Sequence, residues 1–191
     1  MEEIQASYEK APPIYRLSKF WEEYNRASLV RLSNSGFNDF KRTINNIFFH
    51  FSVHGKQKQF WDLLKNSNPF YYLPILCRMS FKNPPKRIFP KARNVWAYKF
   101  FMAMLINKTR SVDKLRFLEK LEEPSLGDPL KILWKNKLIS QDLCNSIVEF
   151  YSLNQGLDLN PESSIRIAEL GAGYGRFPYV VVKIFKNITY T

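Results

Sequence analysis

The chain has 191 residues and a mass of 22.6 kDa, enough for one ordinary domain or for a small domain with part of another. Hydrophobic residues make up 45% and aromatic residues 16%, a composition that excludes wholesale disorder. The formal net charge is +12, and basic residues without any Asp or Glu run from Lys82 to Arg110, which suits an anionic partner or a solvated helical face.

The first part of the chain has the periodicity of helices. Residues 18–25 predict a helix start with Ser18 as its N-cap, and apolar residues recur at helical spacing over residues 37–51. Residues 56–65 predict a further amphipathic helix. Residues 96–106 predict a core helix, too short to span a bilayer.

Further helices are expected up to a polar segment. Residues 115–121 predict a short helix, and a second short helix is expected around Trp134. Ser140 is the predicted N-cap of a longer helix with an apolar face formed by Leu143, Ile147, Phe150 and Tyr151. The polar residues 154–164 predict a domain linker.

The pattern changes after this linker. Residues 165–170 predict a strand, residues 177–185 a helix, and residues 188–191 the beginning of a second strand. The predicted fold class is therefore mainly α. It comprises a helical N-terminal domain over residues 1–153, the linker over 154–164, and the incomplete start of a Rossmann-like domain over 165–191.

A glycine-rich motif joins the predicted strand to the predicted helix. Glu169 to Gly175 read E-L-G-A-G-Y-G, and glycine is required where a chain turns sharply and a Cβ would keep a ligand from the backbone. A dinucleotide loop reads G-x-G-x-x-G, so its third glycine would fall at Arg176. That mismatch and the Glu169 carboxylate favour S-adenosylmethionine over a dinucleotide. A glycine-rich turn without a ligand is the competing interpretation.

Histidines and cysteines predict neither a metal site nor a disulfide. His50 and His54 are four residues apart but have no third ligand in sequence, and Cys77 and Cys144 form no CxxC pair. Both cysteines are expected to be buried, reduced thiols of a cytoplasmic protein. The acidic, polar N-terminus is unlike a signal peptide, and no apolar run is long enough for a transmembrane segment.

The motifs together resemble a known enzyme family. ISQDLCNSIVEFYSL followed by IAELGAGYGR, with SKFWEEYN and SGFNDFKRTINNIFFHF near the N-terminus, resembles the bacterial sugar O-methyltransferases associated with surface-polysaccharide modification. The resemblance implies transfer of a methyl group from S-adenosylmethionine to a sugar or glycan hydroxyl. It also implies a donor loop containing Glu169, Gly171, Ala172, Gly173 and Gly175.

A polar stripe on the helix before the linker is a second candidate site. Gln141, Asn145 and Glu149 are four residues apart, and in this family that helix could approach the donor or the acceptor. A hydrogen-bonded surface stripe is the competing interpretation. Tyr174 and Arg176 could border the donor pocket or simply pack.

A class I methyltransferase needs further strands, and an acid ending its second strand binds the ribose of the donor. Neither that acid nor a catalytic base is assigned, so the expectation is a truncated chain that is inactive alone. It would self-associate through an open sheet edge or pair with a separate C-terminal half. The alternative is a non-catalytic basic helical binding module. Nucleic acid is disfavoured because the aromatic residues follow buried helical spacing.

Overall fold

The computed structural model describes residues 10, 12–15, 18–43, 68–81 and 91–191. The chain divides into two compact units: Met1–Asn45 with Leu126–Asp128, and Asn46–Ser125 with Pro129–Thr191. The described residues are mainly helical, with strands in two small sheets. Among the described helices, none has the length and apolar character that a bilayer span requires.

The first unit contains one long helix. A 3₁₀ turn at Pro13–Tyr15 precedes helix α1, Lys19–Ser35, and a short helix α2 follows at Phe40–Thr43. Ser18 precedes α1 in an extended conformation, as expected of an N-cap, although its side chain makes no capping hydrogen bond. Gly36 ends α1 at φ +67°, and its N–H donates to the carbonyl of Leu32.

The second unit is built around α4, Ala92–Val112, which confirms and extends the core helix predicted at residues 96–106. Before it come a 3₁₀ turn at Pro69–Tyr72, helix α3 at Leu73–Leu76 and strand β1 at Met79–Ser80. The short helix α5, Phe117–Lys120, follows α4. Fully buried side chains of α4 enter the core: Tyr98, Met102, Ala103, Ile106 and Thr109.

The short helix predicted around Trp134 is wrong, because this segment is a β-hairpin. Strand β2, Lys131–Trp134, pairs antiparallel with β3, Lys137–Ser140, and with β1 on its other edge. Lys135 and Asn136 connect β2 to β3 at φ +49° and +64°. Two consecutive residues with positive φ match the twist of a tight hairpin, and that turn overrides the helical reading of the sequence.

Helix α6, Gln141–Leu153, begins directly after β3. Ser140 caps it as predicted, accepting a hydrogen bond of 2.9 Å from the amide of Leu143. The predicted apolar face is also confirmed for the residues that enter the core, because Leu143, Ile147 and Phe150 are buried.

The last part of the chain is a parallel β-α-β arrangement. Strand β4, Ser164–Ile167, leads through the glycine-rich loop into helix α7, Arg176–Ile184, and then into strand β5, Asn187–Tyr190. β4 and β5 pair in parallel, with Ile165 opposite Ile188. The predicted order of strand, loop, helix and strand is confirmed, whereas a Rossmann-like domain stays a prediction.

Helix α7 packs on α6 within the second unit. Val180, Val181 and Phe185 are buried, and the ring centroids of Phe185 and Phe150 are 5.5 Å apart. The apolar residues after the glycine loop therefore pack onto the preceding helix. The domain boundary predicted at residues 154–164 stays a prediction.

The two cysteines differ from the expectation that both are buried. Both are free thiols, but Cys77 is exposed while Cys144 is buried on α6. Burial raises the pKa of the Cys144 thiol to about 12, so this thiol is protonated at neutral pH. Residues 44–51 of the helix predicted at 37–51 lie outside the described residues, as do the helix predicted at 56–65 and the histidines at 50 and 54.

Candidate functional site

The glycine-rich loop crosses from the carboxyl end of β4 to the first residue of α7. Gly171, Gly173 and Gly175 have φ values of +84°, +59° and +80°, a region that L-residues with a Cβ rarely adopt. A Cβ built at any of the three would meet no other atom within 4 Å. The glycines are therefore required by backbone conformation, and the space beside the loop is open.

The second half of the loop is tied to helix α6 through Asp142. The hydroxyl of Tyr174 donates to Asp142 Oδ2, and Nη1 of Arg176 donates to Asp142 Oδ1 at 2.8 Å. The side chains of Arg176 and Asp142 are only 24% and 20% exposed, so this ion pair is well shielded from solvent. Burial and the Asp142 charge raise the pKa of Tyr174, which keeps its hydroxyl protonated as a donor.

Glu169 lies at the carboxyl edge of the parallel sheet. The amide of Glu169 donates to the carbonyl of Thr191 at 2.9 Å, and the amide of Thr191 donates to the carbonyl of Ile167 at 2.9 Å. The Tyr190 hydroxyl donates to Glu169 Oε2. Burial and this hydrogen bond raise the pKa of Tyr190. Neighbouring strand β5 thereby fixes both the backbone and the carboxylate of Glu169.

A cavity of about 640 Å³, called the loop cavity below, lies between the glycine loop and two helices. Its volume is within the range of about 300–1,000 Å³ typical of small-molecule sites. Helix α6 contributes Asn145 and Glu149, and α4 contributes Lys108. The loop contributes a continuous wall formed by Glu169, Leu170, Gly171, Ala172 and Gly173.

Both signs of charge line the loop cavity. Glu149 and Glu169 supply two carboxylates, and Lys108 and Arg176 supply two cations. Partial burial of its carboxyl group raises the pKa of Glu149, the nearby Glu169 raises it further, and Arg176 lowers it. Because Arg176 is already paired with Asp142, Lys108 is the cation available to a ligand.

The structure brings together most of the residues predicted as a site. Glu169, Gly171, Ala172, Gly173 and Asn145 all line the loop cavity. Arg176 lines it too, whereas three predicted residues do not: Tyr174, Gly175 and Gln141. Gly175 is the left-handed N-cap of α7, and Gln141 is buried in the first turn of α6.

Sequence reasoning missed two residues that shape this region. Nothing in the sequence pairs Asp142 with residues more than thirty positions later. In sequence, Lys108 is one member of a basic stretch. Its position at the loop cavity depends on the packing of α4 against α6, which no local pattern reveals.

The residues present fit an amino-acid-bearing cationic ligand such as S-adenosylmethionine. Open space at Gly171 and Gly173 admits a ligand to the backbone, and the first amides of α7 have no partner within the helix. The Glu149 and Glu169 carboxylates suit an ammonium group, and Lys108 suits a carboxylate. No three His, Cys, Asp or Glu side chains of the described residues are grouped to hold a metal ion.

Comparison with protein-family models, with curated proteins and with solved structures gives no match. The resemblance to the sugar O-methyltransferases therefore remains a prediction from the motifs.

Proposed function

We propose that this chain carries the methyl-donor site of an S-adenosylmethionine-dependent O-methyltransferase that acts on a sugar hydroxyl in surface-polysaccharide modification. One observation carries the proposal. The glycine loop that follows β4 of the parallel sheet forms a wall of the loop cavity, opposite the Glu149 carboxylate of α6 and the Lys108 ammonium of α4. Ligands of parallel α/β sheets bind at this carboxyl end of the strands.

Four polar or charged residues that line the loop cavity have defined roles in this proposal. Glu169, whose Oε2 is held by Tyr190, binds the ammonium group of the donor with Oε1, and Glu149 adds a second negative charge. Lys108 binds the donor carboxylate. Asn145 has both an amide donor and a carbonyl acceptor, so it can orient either group.

When bound, S-adenosylmethionine would supply an electrophilic methyl group on a sulfonium. The task of the protein is then to hold the acceptor hydroxyl in line with that methyl group and to let its proton leave. The proposal assigns no general base among the described residues.

Calorimetric titration of the full chain with S-adenosylmethionine tests the proposal. We expect saturable binding by the wild type and at least a tenfold weaker affinity for Gly173→Val, because the valine side chain would occupy open space beside the cavity. Gly156→Val is the matched control, since Gly156 also has a positive φ, +90°, and an open Cβ position but does not line the loop cavity.

Circular dichroism of all three proteins establishes that each is folded. A folded wild type that fails to bind, or a Gly173→Val variant that binds as the wild type does, would contradict the proposal. Equal weakening by both valine variants would assign the effect to backbone strain rather than to the site. Titration with NAD should give no saturable binding, because the loop lacks the third glycine of a dinucleotide fingerprint.

A further inference from the structure

A second and larger cavity adjoins the loop cavity. It measures about 860 Å³ and lies between the carboxyl-terminal ends of α4 and α6 and the segment 154–160. The two cavities have three lining residues in common, Lys108, Val148 and Ser152. A molecule in the second cavity, called the groove below, would therefore contact the same wall as a molecule in the loop cavity.

The groove is lined by groups that match carbohydrate hydroxyls. Asn154, Gln155 and Asn160 supply carboxamides, whose NH2 groups can donate to a sugar hydroxyl. The Asn154 and Asn160 oxygens already accept from the Leu159 and Glu162 amides, whereas the Gln155 carboxamide can both donate and accept. Ser111 adds a hydroxyl, and Tyr151 adds an aromatic side chain. Mixed polar and apolar walls of this kind orient a ligand while excluding water from it.

The charges of the groove favour an anion. Lys108 and Lys114 line it and are exposed, and neither ammonium group has an ion-pair partner in the part of the chain that the structure describes. Asp158 is the one carboxylate among the lining residues, all of which are described. The nearby Asp113 is already engaged, because it accepts hydrogen bonds from the Phe117 and Leu118 amides at 2.7 and 2.9 Å.

We propose that the groove binds the acceptor, and that this acceptor is an anionic glycan with carboxylate groups such as those of uronic acids. The inference rests on the proposed function, and it adds the class of acceptor and its binding site. The ammonium group of Lys114 pairs with a glycan carboxylate, and the carboxamides bind the ring hydroxyls. Lys108 stays paired with the donor carboxylate and adds positive charge at the wall that the two cavities share.

The shared wall places the acceptor beside the donor. In the transfer, the acceptor oxygen forms a bond to the methyl carbon, and the carbon–sulfur bond breaks with its electron pair remaining on sulfur. The hydroxyl proton leaves to solvent. The products are a methyl ether of the glycan and a neutral thioether.

Calorimetric titration of the full chain with tetragalacturonate tests the inference without any methyl donor. We expect saturable binding at least tenfold tighter than that of uncharged maltotetraose. Lys114→Gln should weaken tetragalacturonate binding about threefold to tenfold, because it removes one of the two cations of the groove. Gln155→Ala should weaken it about threefold without changing the net charge.

Two controls separate this site from general attraction to a basic protein. Lys120→Gln removes an exposed lysine on α5 that does not line the groove, and it should leave the affinity unchanged. A deoxythymidine tetranucleotide carries negative charge without the sugar hydroxyls of a glycan, and it should bind at least tenfold more weakly. Equal effects of Lys120→Gln and Lys114→Gln, no effect of Gln155→Ala, or equal affinity for the nucleotide would overturn the inference.

The glycan titration tests the groove and the donor titration tests the methyl-donor site, so each can give a negative result without the other. Binding of S-adenosylmethionine without binding of tetragalacturonate would overturn this inference and leave the proposed function standing. Binding of tetragalacturonate without binding of the donor would overturn the proposed methyltransferase activity, and the groove would remain a glycan site.

Discussion

The two halves of the glycine loop differ in how they are held. In the first half, Leu170 is fully exposed, and Gly171 and Gly173 are exposed as well. In the second half, Tyr174 and Arg176 both donate to Asp142. Seven consecutive residues thus contain one part that faces open space and one part fixed to a buried helix.

The two halves of the glycine loop therefore have different tasks. The fixed half sets the start of α7, so the helix amides and the Arg176 side chain have defined positions. The open half keeps its backbone accessible, which a ligand requires. A loop open throughout would bear the entropic cost of ordering every residue on binding.

The largest effect is expected from removing the anchor of the fixed half. Asp142→Ala removes the carboxylate that accepts hydrogen bonds from a largely buried guanidinium and from a tyrosine hydroxyl. We expect it to lower the free energy of unfolding by about 2–3 kcal/mol in urea denaturation. Glu162→Ala is the matched control. It removes an ion pair of 2.7 Å with Lys186 in which both side chains are at least 66% exposed.

The control should cost less than about 0.5 kcal/mol, because exposed ion pairs contribute little to stability. Similar losses for both variants would mean that the Asp142 contacts do not hold the loop. The comparison between the two halves would then fail.

A smaller loss of unfolding free energy is expected from alanine substitutions at two glycines with almost the same φ. Gly175 caps α7, and its amide donates to the carbonyl of Ala172 at 3.0 Å, so Gly175→Ala must keep its left-handed conformation. We expect a loss of about 1–2 kcal/mol of unfolding free energy. Gly171→Ala meets the same left-handed strain, but no hydrogen bond to α6 holds the open half, so part of the strain can relax and the loss should be smaller, below about 1 kcal/mol. Equal losses in urea denaturation would show that both halves are equally rigid.

The smallest effect concerns Glu149, which faces the open half across the loop cavity. A pKa raised above the usual 4.5 means that the folded protein binds this proton more tightly than the unfolded chain does. Its contribution to stability is therefore complete below pH 4.5 and lost as pH rises through the raised pKa. Glu149→Gln mimics the protonated form, so its melting temperature should exceed that of the wild type at pH 7.

The two melting temperatures should converge in acid, below the ordinary pKa of a glutamate. Glu119→Gln is the control for the loss of one negative charge from a basic protein, because Glu119 is exposed on α5 and its ion pair with Arg116, at 3.7 Å, is exposed as well. A Glu149→Gln variant that is less stable than the wild type at pH 7 would contradict the expected direction.

Local patterns in the sequence predict part of this fold. Ser140 followed by an apolar helical face predicts α6, and the glycines between an apolar strand and an apolar helix predict the β4–loop–α7 order. The hairpin at Trp134 is not predicted, because Lys135 and Asn136 lack the glycine that usually announces a tight turn. In such segments tertiary contacts rather than local propensity set the conformation, so the sequence does not predict it.

The candidate site is likewise predicted only in part by local sequence patterns. Gly171 and Gly173 are recognisable in the sequence because the backbone at these positions requires glycine. Glu169 is recognisable because it lies two residues before the first of them. Asn145 is suggested only by its place in a polar stripe. Lys108 and Asp142 reach the site through helix packing across more than thirty residues of chain, and no sequence pattern encodes those distances.

Helix α6 contacts α4, α5, α7 and β3. It also carries the loop anchor Asp142 and the cavity residues Asn145 and Glu149. A segment tied to so many others opens only when the whole unit opens, so its amide hydrogens should exchange with solvent at the rate of global unfolding. The exposed Leu170–Gly171 amides should exchange through local fluctuation, many orders of magnitude faster. Within one compact unit, the slowest and the fastest exchanging backbone would then lie on opposite walls of a single cavity.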